Sequence, residues 1–256
     1  MTGQWTADTI RLMRDAAEHE PYYETLAAEI ARQLPPGARV CDAGCGLGYL
    51  ALHLARRGFA VTAADLNADA LAVLENHCAQ EGVSEGVSEG VSIDIRCGDI
   101  ACMPPRERYD AMAFCLFGGL KQILRIAARQ CRGDVFIAAR NYSMHRFAPG
   151  ARRCRRESLQ DMMDILREEG IPFDVKEMTI PFGQPLKNKE DARLFFSLYS
   201  RGETVTDAFI DSRIAATGDA EYPSHLLSSR LSYCLYAAGM SSARMCRSPI
   251  SRLCGI

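Results

Sequence analysis

Apolar and polar positions alternate along the first part of the chain with the spacing of short helices and strands. Residues 6–33 follow a helical period that Pro21 interrupts, which predicts two helices. An apolar run at 39–44 predicts a strand, and the helical pattern behind it is followed by a second run at 59–65 and a helix over 67–80. Strands and helices that alternate at this short spacing indicate a parallel sheet with helices on both faces.

The rest of the chain continues this order with five further predicted strands. They occupy residues 91–99, 109–117, 133–140, 172–183 and 229–239. Helices are predicted over 118–131 and 152–170, and residues 186–218 are predicted to be mostly helical. The sequence therefore predicts an α/β fold: a doubly wound sheet of seven mostly parallel strands, with N-terminal helices and a helical insertion before the last strand.

Residues 81–92 are three identical copies of the tetrapeptide EGVS. If two copies are deleted, the remaining sequence is an ordinary helix end, a glycine and a strand. We therefore interpret the repeat as an expansion of an exposed loop, where insertions are tolerated. We predict no chemical role for it.

The composition is that of a soluble globular protein. Of 256 residues, 48% are hydrophobic and 24% are charged, and the formal net charge is −2. This balance gives no indication of nucleic acid or of a membrane surface as a partner, and it does not indicate an oligomeric state. The first residues lack the apolar segment of a secretion signal, and no run approaches the roughly 18 apolar residues of a spanning helix, so we expect a cytoplasmic protein.

Eleven cysteines occur in the chain without any C-x-x-C pair. Metal sites with four ligands usually contain closely spaced ligand pairs, and stable disulfides need an oxidising compartment. We therefore expect free, mostly buried thiols and no bound metal.

The sequence VCDAGCGLG places Gly44, Gly46 and Gly48 between the first predicted strand and the helix that follows. Glycines at such a turn let a ligand approach the backbone closer than a Cβ would permit. A dinucleotide site would need the pattern G-x-G-x-x-G, but its last position is Tyr49. Asp42 at the end of the strand would repel a pyrophosphate and suits a positively charged ligand group. A nucleotide-dependent oxidoreductase is therefore disfavoured.

On these residues the chain resembles the class I S-adenosylmethionine-dependent methyltransferases, whose first motif is an acidic residue followed by G-x-G-x-G. The resemblance covers residues 36–140 by motifs and the rest by strand pattern alone. It implies a Rossmann-like fold and S-adenosyl-L-methionine as the cofactor, with S-adenosyl-L-homocysteine as its product. The glycine loop, with Cys45 between its first two glycines, would hold the methionine part of the cofactor, and Asp42 would act on its amino group directly or through water.

Two further acidic positions match the family's pattern. Asp65 ends the second predicted strand, where the resemblance implies an acceptor for both ribose hydroxyls, with Leu66 packing on the adenine. Taken alone, Asp65 could instead cap the following helix. Asp99 follows the third predicted strand, and the resemblance places it with Ile100 near the adenine amino group.

The fourth predicted strand ends in FCLFGG, and in this family the tip of that strand lies against the transferring methyl group. Phe114, Cys115, Leu116 and Phe117 would therefore line the site. The Asn/Asp-Pro-Pro-aromatic motif, with which resembling enzymes position an amine, is absent, so modification of DNA or glutamine is disfavoured. The tip also has no carboxylate, which leaves the magnesium-dependent catechol type unsupported.

Residues that bind the methyl acceptor are expected from the N-terminal helices, the tip of the fifth strand and the late insertion. Tyr23, with its neighbour Tyr22, could close over the cofactor or pack in the core. His145 could remove a proton from a hydroxyl or thiol, and Tyr142 lies near it, but neither has an identifiable partner and the catalytic residues stay unassigned. The basic run 152–156 could bind an anion or form a solvated face.

We expect a single methyltransferase domain over residues 1–256. Its parts are a helical cap (1–35), a cofactor-binding core (36–183), a helical insertion (184–228) and the last strand with a tail (229–256). The leading hypothesis is methyl transfer to a small molecule, and nucleic acid is disfavoured as a partner. The alternatives are a protein that binds S-adenosylmethionine without catalysis, and a methyltransferase that acts on RNA or protein.

Overall fold

The structure is a computed structural model that describes residues 5–80, 92–104, 108–140, 147–150, 157–200, 202–226 and 229–237. For residues 92, 140 and 229–237 we describe the backbone alone. Several features predicted from the sequence lie outside the described residues. They are the EGVS repeats before Ser92, Tyr142, His145 and the basic run 152–156.

The described part of the chain contains eight helices and ten strands. The helices are α1 (Ala7–His19), α2 (Tyr22–Ala31), α3 (Tyr49–Ala55), α4 (Ala68–Gln80), α5 (Leu120–Gln130), α6 (Leu159–Glu168), α7 (Lys189–Ser200) and α8 (Asp207–Asp211). The strands are β1 (Arg39–Ala43), β2 (Ala60–Asp65), β3 (Ser92–Cys97), β4 (Tyr109–Cys115), β5 (Cys131–Arg140), β6 (Phe173–Pro181), β7 (Gln184–Leu186), β8 (Ala215–Ala216), β9 (Ser224–Leu226) and β10 (Ser229–Ala237).

The larger sheet has the strand order β3-β2-β1-β4-β5-β10-β6. Strands β1 to β5 are parallel, and β10 runs antiparallel to β5. The predicted Rossmann-like α/β fold is therefore confirmed in its five parallel strands. The chain leaves β1 towards β2 and β3 and then returns to β4 on the other side of β1. Ligands of such sheets bind beyond the carboxyl ends of the strands at this reversal, which locates the site at the ends of β1 and β4.

Burial explains why these segments form the centre of the sheet. Strands β1 and β4 are buried along most of their length, as expected for apolar runs that helices cover on both faces. Helix α5 buries one face, which includes Leu120, Ile123, Leu124 and Ala127, because its apolar residues recur every three or four positions. It ends at Gln130, and β5 begins at the next residue, so no loop separates the two elements.

Two helix boundaries predicted from the sequence are also confirmed. Helices α1 and α2 are separated at Pro21, as the interrupted period predicted. The N–H of Ala70 in α4 donates to Oδ1 of Asn67 at 2.8 Å, so Asn67 caps this helix.

The chain divides into two compact units. Unit 1 comprises Met1–Tyr22, Asn141–Arg156 and Thr179–Leu231, and unit 2 comprises Tyr23–Arg140, Glu157–Met178 and Ser232–Ile256. Helix α1 therefore belongs to unit 1 and α2 to unit 2, although the sequence analysis grouped them in one cap. Unit 2 contains the larger sheet up to β5 and hence the glycine loop.

Unit 1 contains the predicted helical insertion, which is not wholly helical. Helices α7 and α8 are present, but β7, β9 and β8 form a small antiparallel sheet in that order. Residues 186–218 were predicted to be mostly helical, and the short strands were not predicted because two or three residues are too few for an alternating pattern to be recognised. Buried Phe195, Phe196 and Ile210 contribute to the core of this unit.

Candidate active site

The loop between β1 and α3 contains three glycines in the left-handed backbone region. Gly44, Gly46 and Gly48 have φ angles of 73°, 56° and 78°, which residues with a Cβ rarely adopt. A Cβ added to Gly44 would overlap the ring of Phe117, and one added to Gly48 would lie 2.6 Å from Leu74 Cδ1. All three glycines are thus required by the backbone conformation, and two of them also by the close neighbours.

Hydrogen bonds fix this loop to the end of β2. The N–H groups of Gly44 and Cys45 both donate to the carbonyl oxygen of Ala64, at 2.8 and 3.1 Å. The N–H of Gly46 donates to Oδ2 of Asp65 at 2.8 Å. The glycine loop and the acid of β2, which the sequence analysis treated as two motifs, therefore form one structure at the ends of neighbouring strands.

Asp42 in β1 is a buried carboxylate without a hydrogen-bond partner. Its residue is only 1% exposed, and neither carboxylate oxygen has a partner within the described residues. The pKa of Asp42 is raised to about 7, mainly by burial and in smaller part by the nearby charge of Asp65. The N–H of Ala51 in the first turn of α3 offsets part of the rise without reaching hydrogen-bond geometry. Because a buried carboxylate is costly without a partner, this position favours a ligand that brings a positively charged donor.

Asp65 is held by the backbone on both of its oxygens. Besides Gly46 at Oδ2, the N–H of Asn67 donates to Oδ1 at 2.9 Å. Since Asn67 caps α4, the alternative that Asp65 serves as that cap is wrong. Each carboxylate oxygen can accept a second hydrogen bond, which leaves capacity for two hydroxyl donors. Leu66 beside it is 71% exposed, as expected of an apolar side chain that a flat ring would cover.

Asp99, the acid after β3, accepts one backbone hydrogen bond, whereas Asp65 accepts two. Asp99 is exposed, and its Oδ1 accepts the N–H of Ala101 at 2.9 Å, so the side chain closes the turn in which it lies. The thiol of Cys102 lies 3.6 Å from its Oδ2. Ile100 is 4% exposed and packs in the core of unit 2. A contact of Ile100 with the cofactor would therefore have to come from its backbone, not from its side chain.

The tip of β4 is adjacent to the glycine loop. The ring of Phe117 covers Gly44 and lies 5.4 Å from the ring of Phe114, centroid to centroid. Phe114 is fully buried and its side chain packs against Phe117, so its predicted place in the lining of the site stays a prediction. Cys115 is partly exposed, and Leu116 is the one non-glycine residue of the described part of the chain with a positive φ, 55°. Such strain is often retained at functional sites.

The two tyrosines of the N-terminal region have different surroundings. The ring of Tyr23 stacks on that of Tyr49 at 5.9 Å, and Tyr49 follows Gly48 directly, so Tyr23 lies beside the glycine loop. Tyr22 is fully buried in unit 1 and contacts Phe182 edge to face at 5.0 Å. The structure thus favours cofactor contact for Tyr23 and core packing for Tyr22.

The two cysteines of the motif are packing residues. Cys41 is fully buried and Cys45 is partly buried, and burial raises the pKa of both thiols above the ordinary value. Thiols of raised pKa are poor nucleophiles and poor metal ligands at neutral pH. Among the described residues, no group of three or more His, Cys, Asp or Glu side chains is arranged to hold a metal ion.

Two groups that were not predicted from the sequence are formed by residues from distant parts of the chain. In unit 2, Oε2 of Glu157 accepts the N–H of Leu120 at the start of α5, at 2.7 Å. In unit 1, Oε1 of Glu20 lies 2.9 Å from Nε2 of His225, and both side chains are 9% exposed. No local signal could have identified either group, because each depends on residues far apart in the sequence.

Comparison with protein families gives one domain match. Residues 40–133 match a family model described as a methyltransferase domain. This segment extends from β1 into β5 and includes the glycine loop, Asp65, Asp99 and the tip of β4.

Curated relatives are similar over short segments. The chain is 47% identical over 53 residues to a ubiquinone biosynthesis O-methyltransferase of Xanthomonas axonopodis pv. citri (strain 306), and 39% identical over 74 residues to one of Bradyrhizobium sp. (strain ORS 278). These segments are 21% and 29% of this chain and only 22% and 26% of the relatives. They are too short to carry over the activity of the whole relative.

Solved structures share the fold at low sequence identity. The YcgJ protein of Bacillus subtilis superposes with a TM-score of 0.52 over 84% of this chain and 96% of its own, at 15% identity. This similarity supports the fold alone. Among the described residues, none of the helices combines the length and the apolar character that crossing a bilayer requires.

Proposed function

We propose that this chain is a class I S-adenosylmethionine-dependent methyltransferase, which the match of residues 40–133 to a methyltransferase domain model supports. It would transfer the cofactor's sulfonium methyl group to a small molecule by in-line displacement. The main support for this proposal is that Asp42 is a carboxylate buried without a partner among the described residues, beside a loop of left-handed glycines. A dinucleotide would bring phosphates to this carboxylate, whereas the amino acid part of S-adenosylmethionine brings an ammonium group.

The residues present fit this cofactor. The ammonium group would satisfy Asp42, and the left-handed glycines of the loop carry no side chain where the methionine part would lie. The spare acceptor capacity of Asp65 suits the ribose hydroxyls, and exposed Leu66 suits the adenine ring. Asp99 and Tyr23 are the further cofactor contacts that we propose.

The bound cofactor would supply a methyl group that is already activated by a positively charged sulfur. The protein therefore has to align the acceptor with the bond that breaks and to exclude water. The aromatic rings at the tip of β4 and beside the glycine loop would exclude water by covering the reacting end of the site.

The names of the two curated relatives support an oxygen atom of a small molecule as the acceptor, although the matched segments are short. We further propose that the protein acts in the cytoplasm as a single methyltransferase domain and that nucleic acid is not its substrate. None of the cysteines whose side chains the structure describes is in a disulfide, which is compatible with the proposed compartment.

Binding and turnover test the proposal in two steps. Calorimetry should detect S-adenosylhomocysteine binding to the wild type, a loss of at least about tenfold in affinity for Asp65→Ala, and unchanged affinity for Asp69→Ala, an exposed acid in the first turn of α4. Absence of binding to the wild type would refute the proposal.

Turnover separates the methyltransferase from its alternatives. Methyl-labelled S-adenosylmethionine should transfer label to the small-metabolite fraction of a cell extract. Label in the RNA or protein fraction would identify a macromolecular substrate instead. Binding without transfer to any fraction would identify a cofactor-binding protein that lacks catalysis.

A further inference from the structure

The geometry points to Glu157 as the group that binds the acceptor's hydroxyl and takes up its proton during methyl transfer. This inference rests on the proposed function and adds to it a catalytic residue and a class of acceptor, a neutral hydroxyl compound such as a phenol. It concerns unit 2 alone, which contains both Glu157 and the glycine loop.

The tip of β4 has no acidic residue in its own sequence, but the fold brings one to it. Between Cys115 and α5 the chain passes through Leu116, Phe117 and two glycines, and Gly119 is the N-cap of α5 without a capping side chain. The carboxylate of Glu157, from the segment before α6, occupies that end of the helix. Its Oε2 accepts the N–H of Leu120 at 2.7 Å, and both of its oxygens lie 3.4 Å from the position that a Cβ on Gly119 would take.

A short series of contacts connects this carboxylate to the candidate cofactor loop. Gly119 is two residues from Phe117, whose ring covers Gly44 of the glycine loop. Asp42 pairs in register with Ala113 of β4, so the unpartnered acid and the tip belong to the same edge of the sheet. The buried, unpartnered oxygens of Asp42 independently favour this edge as a place for a ligand.

Only one of the two oxygens of Glu157 is used within the described residues. Oε2 caps α5, whereas Oε1 accepts no hydrogen bond, and Glu157 forms no ion pair with a described residue. The side chain is partly exposed, so an incoming molecule can reach it. The cap holds the carboxylate in place, and the second oxygen remains available as an acceptor.

The step balances without any further reactant. A lone pair of the acceptor oxygen forms the new O–CH₃ bond, and the electron pair of the S–CH₃ bond remains on sulfur, which becomes an uncharged thioether. The hydroxyl proton passes to Oε1 of Glu157 and from there to solvent. A neutral hydroxyl is a weak nucleophile, so a positioned base is required for it but not for an acceptor that is already ionised.

Replacement of Glu157 by Gln separates this role from helix capping. The amide oxygen of Gln can still accept the N–H of Leu120, but it cannot take up a proton. We therefore expect Glu157→Gln to retain the melting temperature to within a few degrees and to retain cofactor affinity. Glu168→Gln, at an exposed position at the end of α6, is the matched control.

The test compares two phenols, one neutral at the assay pH and one made electron-poor by a nitro group so that it is already ionised. Glu157→Gln should lower kcat/KM at least about 100-fold for the neutral phenol and less than about threefold for the ionised one. Glu157→Asp, which keeps the carboxylate, should recover part of the activity on the neutral phenol, and Glu168→Gln should match the wild type on both.

Two results would overturn the inference. Equal losses on both phenols would show that Glu157 acts only through the fold. A wild-type protein that binds the cofactor and methylates other compounds, but no hydroxyl acceptor, would exclude the proposed acceptor class. Both results differ from a failure of the proposed function, in which the wild type would not bind S-adenosylhomocysteine at all.

Discussion

Asp42 in unit 2 and Glu20 in unit 1 are both carboxylates that the fold removes from water, but their surroundings differ. Glu20 accepts the N–H of Gly183 at 3.1 Å and has His225 at 2.9 Å. Asp42 has no such partner within the described residues. Glu20 therefore has polar partners inside its own unit, as expected of a structural group, whereas Asp42 has none, which supports the ligand-binding role proposed for it.

The largest expected effect concerns the pH dependence of stability at Asp42. Its pKa is about 7 in the folded protein and 3.8 ordinarily, so the folded state holds the proton more tightly. The stabilisation that this provides is complete below pH 3.8 and is lost as the pH rises to about 7. We expect the free energy of unfolding of the ligand-free protein to fall by up to about 4 kcal/mol over that interval.

Chemical denaturation at a series of pH values measures this effect. Asp42→Asn should remove that part of the pH dependence and weaken S-adenosylhomocysteine binding by about 100-fold or more. Asp69→Asn should behave as the wild type. If the free energy of unfolding of Asp42→Asn depended on pH as in the wild type, Asp42 would not be the group responsible. The proposed difference between Asp42 and Glu20 would then be wrong.

A smaller effect tests how tightly Phe117 packs on the glycine loop that follows Asp42. Gly44 and Gly37 both have a φ of 73°, but a Cβ would overlap Phe117 at Gly44 and would meet nothing within 4 Å at Gly37. Gly37→Ala should lower the free energy of unfolding by about 1 kcal/mol through backbone strain, and Gly44→Ala by about 2–3 kcal/mol, with weaker cofactor binding. Equal losses would mean that Phe117 moves aside without cost.

The smallest expected effect has the opposite pH dependence and lies in unit 1. Burial lowers the pKa of His225 from 6.5, Glu20 partly opposes this, and the nearby His19 adds to it. A histidine of lowered pKa binds a proton more readily when unfolded, so its contribution to stability is lost as the pH falls below about 6.5.

Nuclear magnetic resonance titration of the His225 ring checks this. Glu20→Gln removes the opposing carboxylate, so it should lower the pKa of His225 further and cost about 1 kcal/mol of stability at neutral pH. The cofactor affinity should be unchanged. An increased pKa in this variant would contradict the assignment of Glu20 as the partner.

The part of the site that could be predicted from the sequence is local in the chain. The glycines, Asp42 and Asp65 lie within one strand-helix-strand unit, where residue type and spacing are sufficient to fix their positions. The same sequence signal did not indicate which of the predicted side chains are buried. Phe114 and Ile100 have the expected positions in the chain, but the fold buries both side chains.

The parts that could not be predicted depend on contacts between distant residues. Glu157 reaches Leu120 across 37 positions, and Glu20 reaches Gly183 across 163. No periodicity or motif in the sequence indicates such pairs, because they form only when separate elements pack together. The short strands of unit 1 escaped prediction for a related reason, since β8 has two residues and takes its conformation from its neighbour β9.

The direct passage from α5 into β5 has a consequence for how this chain can evolve. With Gln130 and Cys131 adjacent, a single inserted residue would either unwind the last helical turn or shift β5 by one position. Such a shift would move Ile137 to the opposite face of the sheet. The connection between α4 and β3, by contrast, has taken up repeated EGVS units. Length variation among descendants of this gene should therefore accumulate after α4 and be absent after α5.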